Sequence, residues 1–274
     1  MRWAGRRQSD NIIDQRNSSF RPRAGKKSIG TLLIMGLAMY AMGGDPQMIV
    51  SMLGGEIMNA AVAPKQSTAP RSAYDSDDSM GLVSVTLADL EDRWTKIFAQ
   101  DGRRYVPTPL VLFRGGTQTA CGMGQTATGP FYCPADKKVY LDLSFMDDLN
   151  RLGGKGDFAL AYVVAHEVGH HVQNLLYPGK MGRRQGQRES IATELQADCF
   201  AGIWAHFANQ ERDFLEQGDI EEGLRTAAAV GDDHIQRSAG RAVSPESFSH
   251  GTSEQRVAAF RRGFESGALT SCNF

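Results

Sequence analysis

The stretch that decides the fold runs Phe158-Ala159-Leu160-Ala161-Tyr162-Val163-Val164-Ala165-His166-Glu167-Val168-Gly169-His170-His171. Its opening eight residues are apolar on nearly every side, and Asp157 just before them is a good N-cap residue. The run therefore reads as a helix buried in a core. Residues four apart share a helix face, so His166 and His170 can each offer a ring nitrogen to one metal ion. Glu167 falls beside that pair, placed to touch a water at the metal without binding the ion itself. Burying two histidines and a carboxylate without partners is strongly disfavoured, and a metal ion removes that penalty.

Two histidines leave a zinc ion short of protein ligands, because catalytic sites usually supply three. A third histidine at metzincin spacing would fall on Leu176, so the missing ligand must come from elsewhere. A helix is expected from about Glu189 to Gln210, and within it Glu194-Leu195-Gln196-Ala197-Asp198 places two carboxylates on one face. One of them can bind the ion while the other accepts a hydrogen bond from the far nitrogen of a ligand histidine. On a solvated face such a pair would carry no meaning. Among Ile191, Leu195, Cys199, Phe200 and Ile203 it calls for a partner.

The chain has 274 residues, 41% of them hydrophobic, and a formal net charge of −1, enough for one well-buried enzymatic domain with an appendage. The near-balance of charge argues against a nucleic-acid partner. Basic residues cluster only at 1–27, which read as an unstructured cytoplasmic arm. The uncharged run from Ile29 to Met42 follows, so 28–44 is expected to be a single transmembrane anchor with the bulk of the chain on the periplasmic or extracellular side. A cleaved signal peptide is the alternative, with Ala61-Val62-Ala63 as a distant cleavage sequence. Residues 45–79 read as a juxtamembrane segment and linker, and 80–274 as the catalytic domain.

Four cysteines without a C-x-x-C pair, in a chain expected outside the membrane, suggest disulfides. Local pairing would join Cys121 to Cys133 and Cys199 to Cys272, one of three possible connectivities. Leu110–Phe113 and Val139–Leu143 are strand-like and could form a small antiparallel sheet, with helices supplying the rest of an α+β domain. An amphipathic helix is expected over Leu87–Asp101. Asp219 with Glu222, and Thr252 with Gln255, look like capping boxes opening two more helices.

His166-Glu167-x-x-His170 followed by Glu194-x-x-x-Asp198 resembles the gluzincin arrangement of thermolysin-like peptidases. The wider wording is similar to the bacterial family of neutral zinc metallopeptidases: Gly129-Pro130-Phe131-Tyr132-Cys133-Pro134, Val139-Tyr140-Leu141-Asp142, His166 to Gln173, Glu194 to Cys199, and Ser249-His250-Gly251-Thr252-Ser253. The resemblance implies a mainly helical zincin-like domain, one Zn²⁺ per chain on His166, His170 and Glu194, and a peptide or protein substrate. Glu167 would then be the general base and Asp198 the group orienting His166. His250 is the first candidate for a donor to the tetrahedral intermediate and His234 the second. His171 points roughly 100° away from His170 and is expected to pack or to support the site from behind. An extended substrate would add to an exposed sheet edge, for which Val139–Leu143 is the natural choice. The competing reading is a zinc-containing envelope binding or scaffold protein that keeps the peptidase fold without cleaving anything. A zinc hydrolase of non-peptide amides is a third.

Overall fold

Among the described residues the first helix begins just after Ser76. The Ser76 side chain accepts a hydrogen bond from the Ser79 backbone and caps helix α1 (Asp77–Gln100), which buries Leu87, Leu90, Trp94 and Phe98 on one face. The computed structural model describes residues 1–17, 76–125, 129–181, 186–210 and 214–274. Before α1, strand β1 (Ile12–Asp14) lies at one edge of a four-stranded sheet. The other strands follow α1: β2 (Leu110–Phe113), the hairpin β3 (Gly116–Thr119) and β4 (Gly122–Gln125), then β5 (Phe131–Cys133) and β6 (Lys138–Asp142). Six helices complete the described residues: α2 (Phe145–Leu152), α3 (Asp157–Leu176), α4 (Gln187–Gln210), α5 (Asp219–Ala229), α6 (Asp232–Ser238) and α7 (Ser253–Ser266). The class is mixed α+β and mainly helical.

The sheet order is β1-β2-β6-β5, and β3 pairs only with β4. Leu110–Phe113 and Lys138–Asp142 are neighbours, as expected, but they run parallel, not antiparallel. An antiparallel pair can be joined by a tight turn, whereas here the connection holds the β3–β4 hairpin and β5, long enough to bring β6 back in the same direction. Strand β6 is consequently an interior strand. The edge that the sequence reading assigned to it belongs to β5, which pairs antiparallel with β6 through Phe131↔Tyr140 and Tyr132↔Val139.

Residues 1–17 are not a free arm. Strand β1 pairs parallel with β2, and Gln15 N donates to Leu112 O. The Ser9 hydroxyl and the Asn11 amide both donate to Glu91 of α1, and Arg7 reaches Asp92 at 2.8 Å. Composition counts the arginines of this segment but cannot show that Arg7 meets acidic residues some eighty positions away. The expected linker also ends earlier, since Asp77–Ser79 already belong to α1. The anchor expected at 28–44 and the linker through 75 lie outside the described residues. No helix among those described is long and apolar enough to cross a membrane.

Helix α3 is buried continuously from Phe158 to Gln173, and Phe158 stacks on Trp204 of α4. Asp157 is its first helical residue and not the cap, which is Gly156 at φ 101°. Asp219 likewise falls one place inside α5, behind Gly218. The box at Thr252 and Gln255 forms as expected: Thr252 Oγ1 accepts from Gln255 N, and the Gln255 side chain accepts from Thr252 N. Two disulfides, Cys121–Cys133 and Cys199–Cys272, follow the local pairing. The first ties the β3–β4 turn to the end of β5, and the second ties the chain beyond α7 to α4.

Candidate metal centre

Helices α3 and α4 meet at the level of the histidine motif because Gly169 carries no side chain. A Cβ there would lie 3.0 Å from the Ala197 carbonyl oxygen, so tight that α4 would have to give way by a few tenths of an ångström. This close approach carries the acidic face of α4 onto the histidine face of α3. Glu194 Oε2 lies 3.2 Å from His166 Nε2, and Glu194 Oε1 lies 3.5 Å from His170 Nε2. One ligand atom from each of the three residues falls within 4.8 Å of the others. An ion with tetrahedral bonds of 2.0–2.2 Å separates its ligands by roughly 3.4 Å, so this donor set has the spacing and the composition zinc requires.

Each histidine is fixed from behind. His166 Nδ1 donates to Asp198 Oδ1 at 2.9 Å, leaving Nε2 toward Glu194. His170 Nδ1 donates to Gln173 Oε1 at 2.8 Å, and the Gln173 amide is itself held by Thr193 O and Gln196 Oε1. Fixing the tautomer in this way presents the other ring nitrogen as a ligand. Asp198 has no exposed surface, and its two oxygens also accept from Arg256 Nε at 2.8 Å, Arg256 Nη2 at 2.9 Å and the Tyr162 hydroxyl. Arg256 Nη1 donates to Val230 O. A buried carboxylate, arginine and tyrosine thus stand as one satisfied network behind His166.

The field of the site favours positive charge. Burial alone would disfavour the His166 imidazolium, but Asp198 and Glu194 outweigh it and push its pKa up to about 10. Burial likewise works against ionised Glu194, yet His170 and His166 hold its carboxyl well below the usual range. Asp198 is buried too, and Arg256 and His166 bring it down to about 2. Glu167 goes the other way, because burial raises it more than the neighbouring histidines lower it. The two carboxylates are thus shifted in opposite directions, Glu194 downward by the histidines and Glu167 upward by burial.

His166, Glu167, His170 and Glu194 line a cleft with a volume of about 430 Å³. His250 stands on its rim, exposed. Asp232 holds this loop by accepting from the backbone N–H of Ser249, His250 and Gly251, and its other oxygen lies 3.1 Å from His250 Nδ1. His234 is elsewhere: its Nε2 donates to Leu152 O, and it does not line the cleft. His171 is turned away from the three donors. Its Nε2 donates to Val106 O, its Nδ1 accepts from Tyr132, and burial lowers its pKa to about 4, so it is a neutral structural residue.

Sequence reasoning did not single out Gln173, Tyr162, Asp232 or Arg256. Two of these had a signal, since Tyr162 precedes His166 by four positions and Gln173 follows His170 by three, both on a shared helix face. Arg256 offered none, because its partner lies 58 positions away on another helix.

Residues 1–274 match the model of a family described as "Putative neutral zinc metallopeptidase". The chain is 46% identical to the uncharacterized protein YpfJ of Escherichia coli (strain K12) over an alignment of 291 positions, which spans 100% of this chain and 98% of that one. It is 42% identical to the uncharacterized protein Rv2575 of Mycobacterium tuberculosis (strain ATCC 25618 / H37Rv) over 185 positions, 62% of each chain. No solved structure matches.

Proposed function

The chain belongs to the neutral zinc metallopeptidase family, and from that membership and the converged donor set we propose that it hydrolyses peptide bonds, with His166, His170 and Glu194 holding one zinc ion and Glu167 as general base. The observation that carries this reading is the Glu194 carboxylate lying between two histidine nitrogens beside a buried glutamate of raised pKa. When bound, zinc supplies an electrophile that acidifies water and polarises a carbonyl. Glu167 takes a proton from the attacking water and delivers it to the departing amine. As an imidazolium whose Nδ1–H is accepted by Asp232, His250 can donate from Nε2 to the carbonyl oxygen as negative charge develops there. Asp198 and Gln173 keep the two histidine rings aligned through both changes.

Strand β5 reaches the cleft through Phe131 and Tyr132 and is an edge strand among the described residues, to which an extended substrate can pair. Phe131, Phe145 and Val163 give the cleft an apolar wall. A peptide or protein substrate, attachment to a membrane through 28–44 and an oxidising compartment belong to the same proposal. The last is supported by the pairing of all four cysteines.

The test compares wild type with Glu167→Gln for bound zinc and for cleavage of a diverse peptide library. Both are expected to bind one zinc per chain, and the variant to lose at least about 10²-fold in cleavage rate. Zinc-loaded wild type that cleaves no member of the library would favour the scaffold reading.

A further inference from the structure

Strand β5 and helix α3 are fastened to each other beside the metal centre. Side chains alternate across a strand, so neighbouring residues of β5 face opposite ways. Phe131 stacks on Tyr140 of β6 with ring centroids 5.0 Å apart, and it lies against the β3–β4 hairpin, where a Cβ on Gly124 would strike its ring. Tyr132 faces α3. Its hydroxyl donates to His171 Nδ1 at 3.0 Å and accepts from Asn174 Nδ2 at 2.9 Å. His171 is buried and carries the connection further, because its Nε2 donates to Val106 O at 2.7 Å, in the segment leading into β2. The His171 ring packs edge-on against those of Tyr105 and Tyr132. One side chain of α3 thus grips the sheet at β5 and again just ahead of β2.

These anchor points stand in a fixed relation to the reacting groups. Glu167, His171 and Asn174 recur at spacings of four and three, so they share one face of α3. Strand β5 is therefore docked on the face that carries Glu167, and the helix rise puts His171 about 6 Å along the axis from it. Phe131, Tyr132 and Glu167 line the same cleft. A slip of β5 by one residue would move its edge by about 3.3 Å and turn the other face of the strand toward α3. Tyr132 is only 8% exposed, and a hydroxyl so enclosed loses both partners at a cost if the strand shifts. Its two bonds oppose the slip.

We propose that Tyr132 is a positioning residue, whose hydroxyl, clasped by His171 and Asn174, sets the register in which an extended peptide paired with β5 crosses the metal site. The inference rests on the reading of the cleft as a peptidase that binds substrate along β5, and it adds what fixes the height of that strand. His171 then serves substrate binding without touching metal or peptide. It holds the edge strand to the helix that carries two metal donors and the base.

The test compares the zinc-loaded wild-type chain with Tyr132→Phe, which keeps the ring and removes the hydroxyl. Backbone hydrogen exchange at β5 should quicken by about 10-fold in the variant, with zinc content unchanged. KM for an extended peptide should rise by about 10-fold with kcat altered far less, while KM for a peptide too short to reach β5 should rise less. A general loss of stability would move both peptides together. Asn174→Ala, at a partly buried position, removes one donor to Tyr132 and should shift exchange and KM in the same direction. Combined with Tyr132→Phe it should add little, because both changes break one linkage. Unchanged exchange at β5 in both variants would overturn the fastening, whether or not the protein cleaves peptides. Quicker exchange with the same KM for an extended peptide that wild type cleaves would overturn the register. A wild type that cleaves no peptide, with β5 exchange still quickened in the variants, would overturn the peptidase reading and the register with it.

Discussion

At the scale of single residues, the site divides into groups that would touch the metal and groups that hold them. Glu194→Ala removes a donor lying between two histidine nitrogens, so bound zinc should be lost. Gln173→Ala leaves all three donors in place but frees the His170 ring, and zinc affinity should fall by about 10- to 100-fold. Competition with a chromophoric chelator measures both. Equal losses would mean that Gln173 is not acting through ring alignment. The pH dependence follows from Glu167. As a base it must be ionised, and burial raises its pKa, so the rate should fall as pH drops through a value above the ordinary glutamate pKa of about 4.3. A profile of kcat/KM against pH checks this, and an acid limb at or below the ordinary value would count against Glu167 as the base. His166, Glu167 and His170 were legible because one helix fixes their spacing. The buried Asp198–Arg256 pair was not fully legible, because its two halves meet only after α4 and α7 have packed.

At the scale of elements, the centre depends on helices approaching to backbone distance. Gly169 lets α4 come up to α3, while Gly202 and Gly263 do the same for α4 and α7. A Cβ on Gly202 would fall onto the Phe260 carbonyl, and one on Gly263 onto that of Cys199. The disulfides secure different elements. Cys199–Cys272 closes a separation of 73 residues and Cys121–Cys133 one of 12. Loop-closure entropy then assigns about 4 kcal/mol to the first and about 3 kcal/mol to the second. Replacing Cys199 and Cys272 by Ala should therefore lower the urea midpoint more than the same change at Cys121 and Cys133, and should also disturb zinc affinity, since Cys199 adjoins Asp198. The reverse order would show that strain or residual structure outweighs chain entropy. Helix positions were largely readable from apolar spacing, and the cap at Thr252 from its box. Strand direction was not readable, since pairing sense depends on how the intervening chain travels.

At the scale of the molecule, the first seventeen residues belong to the domain they precede. Deleting residues 2–15 should expose the hydrogen-bonding edge of β2 and leave Glu91 buried with fewer partners, lowering thermal stability and favouring aggregation through the open edge. Thermal unfolding and light scattering measure the two effects, and an unchanged midpoint would show that β1 contributes nothing to the fold. The basic character of 1–27 suggested separation because net charge is a sum over a segment. Docking depends instead on where the opposite charges lie after folding.

The sequence by itself determined the buried helix, the pair of histidines with their adjacent glutamate and the two candidate carboxylates, and it suggested the local pairing of cysteines as one of three connectivities. Each depends on periodicity or short separation along one chain segment. Only the tertiary structure decided that Glu194 faces both histidines while Asp198 lies behind one of them with Arg256. It also decided that β5 is the open edge beside the cleft and that the N-terminal strand completes the sheet. Those arrangements come from segments far apart in the chain, brought together by burial and by hydrogen bonds that close only in the folded protein.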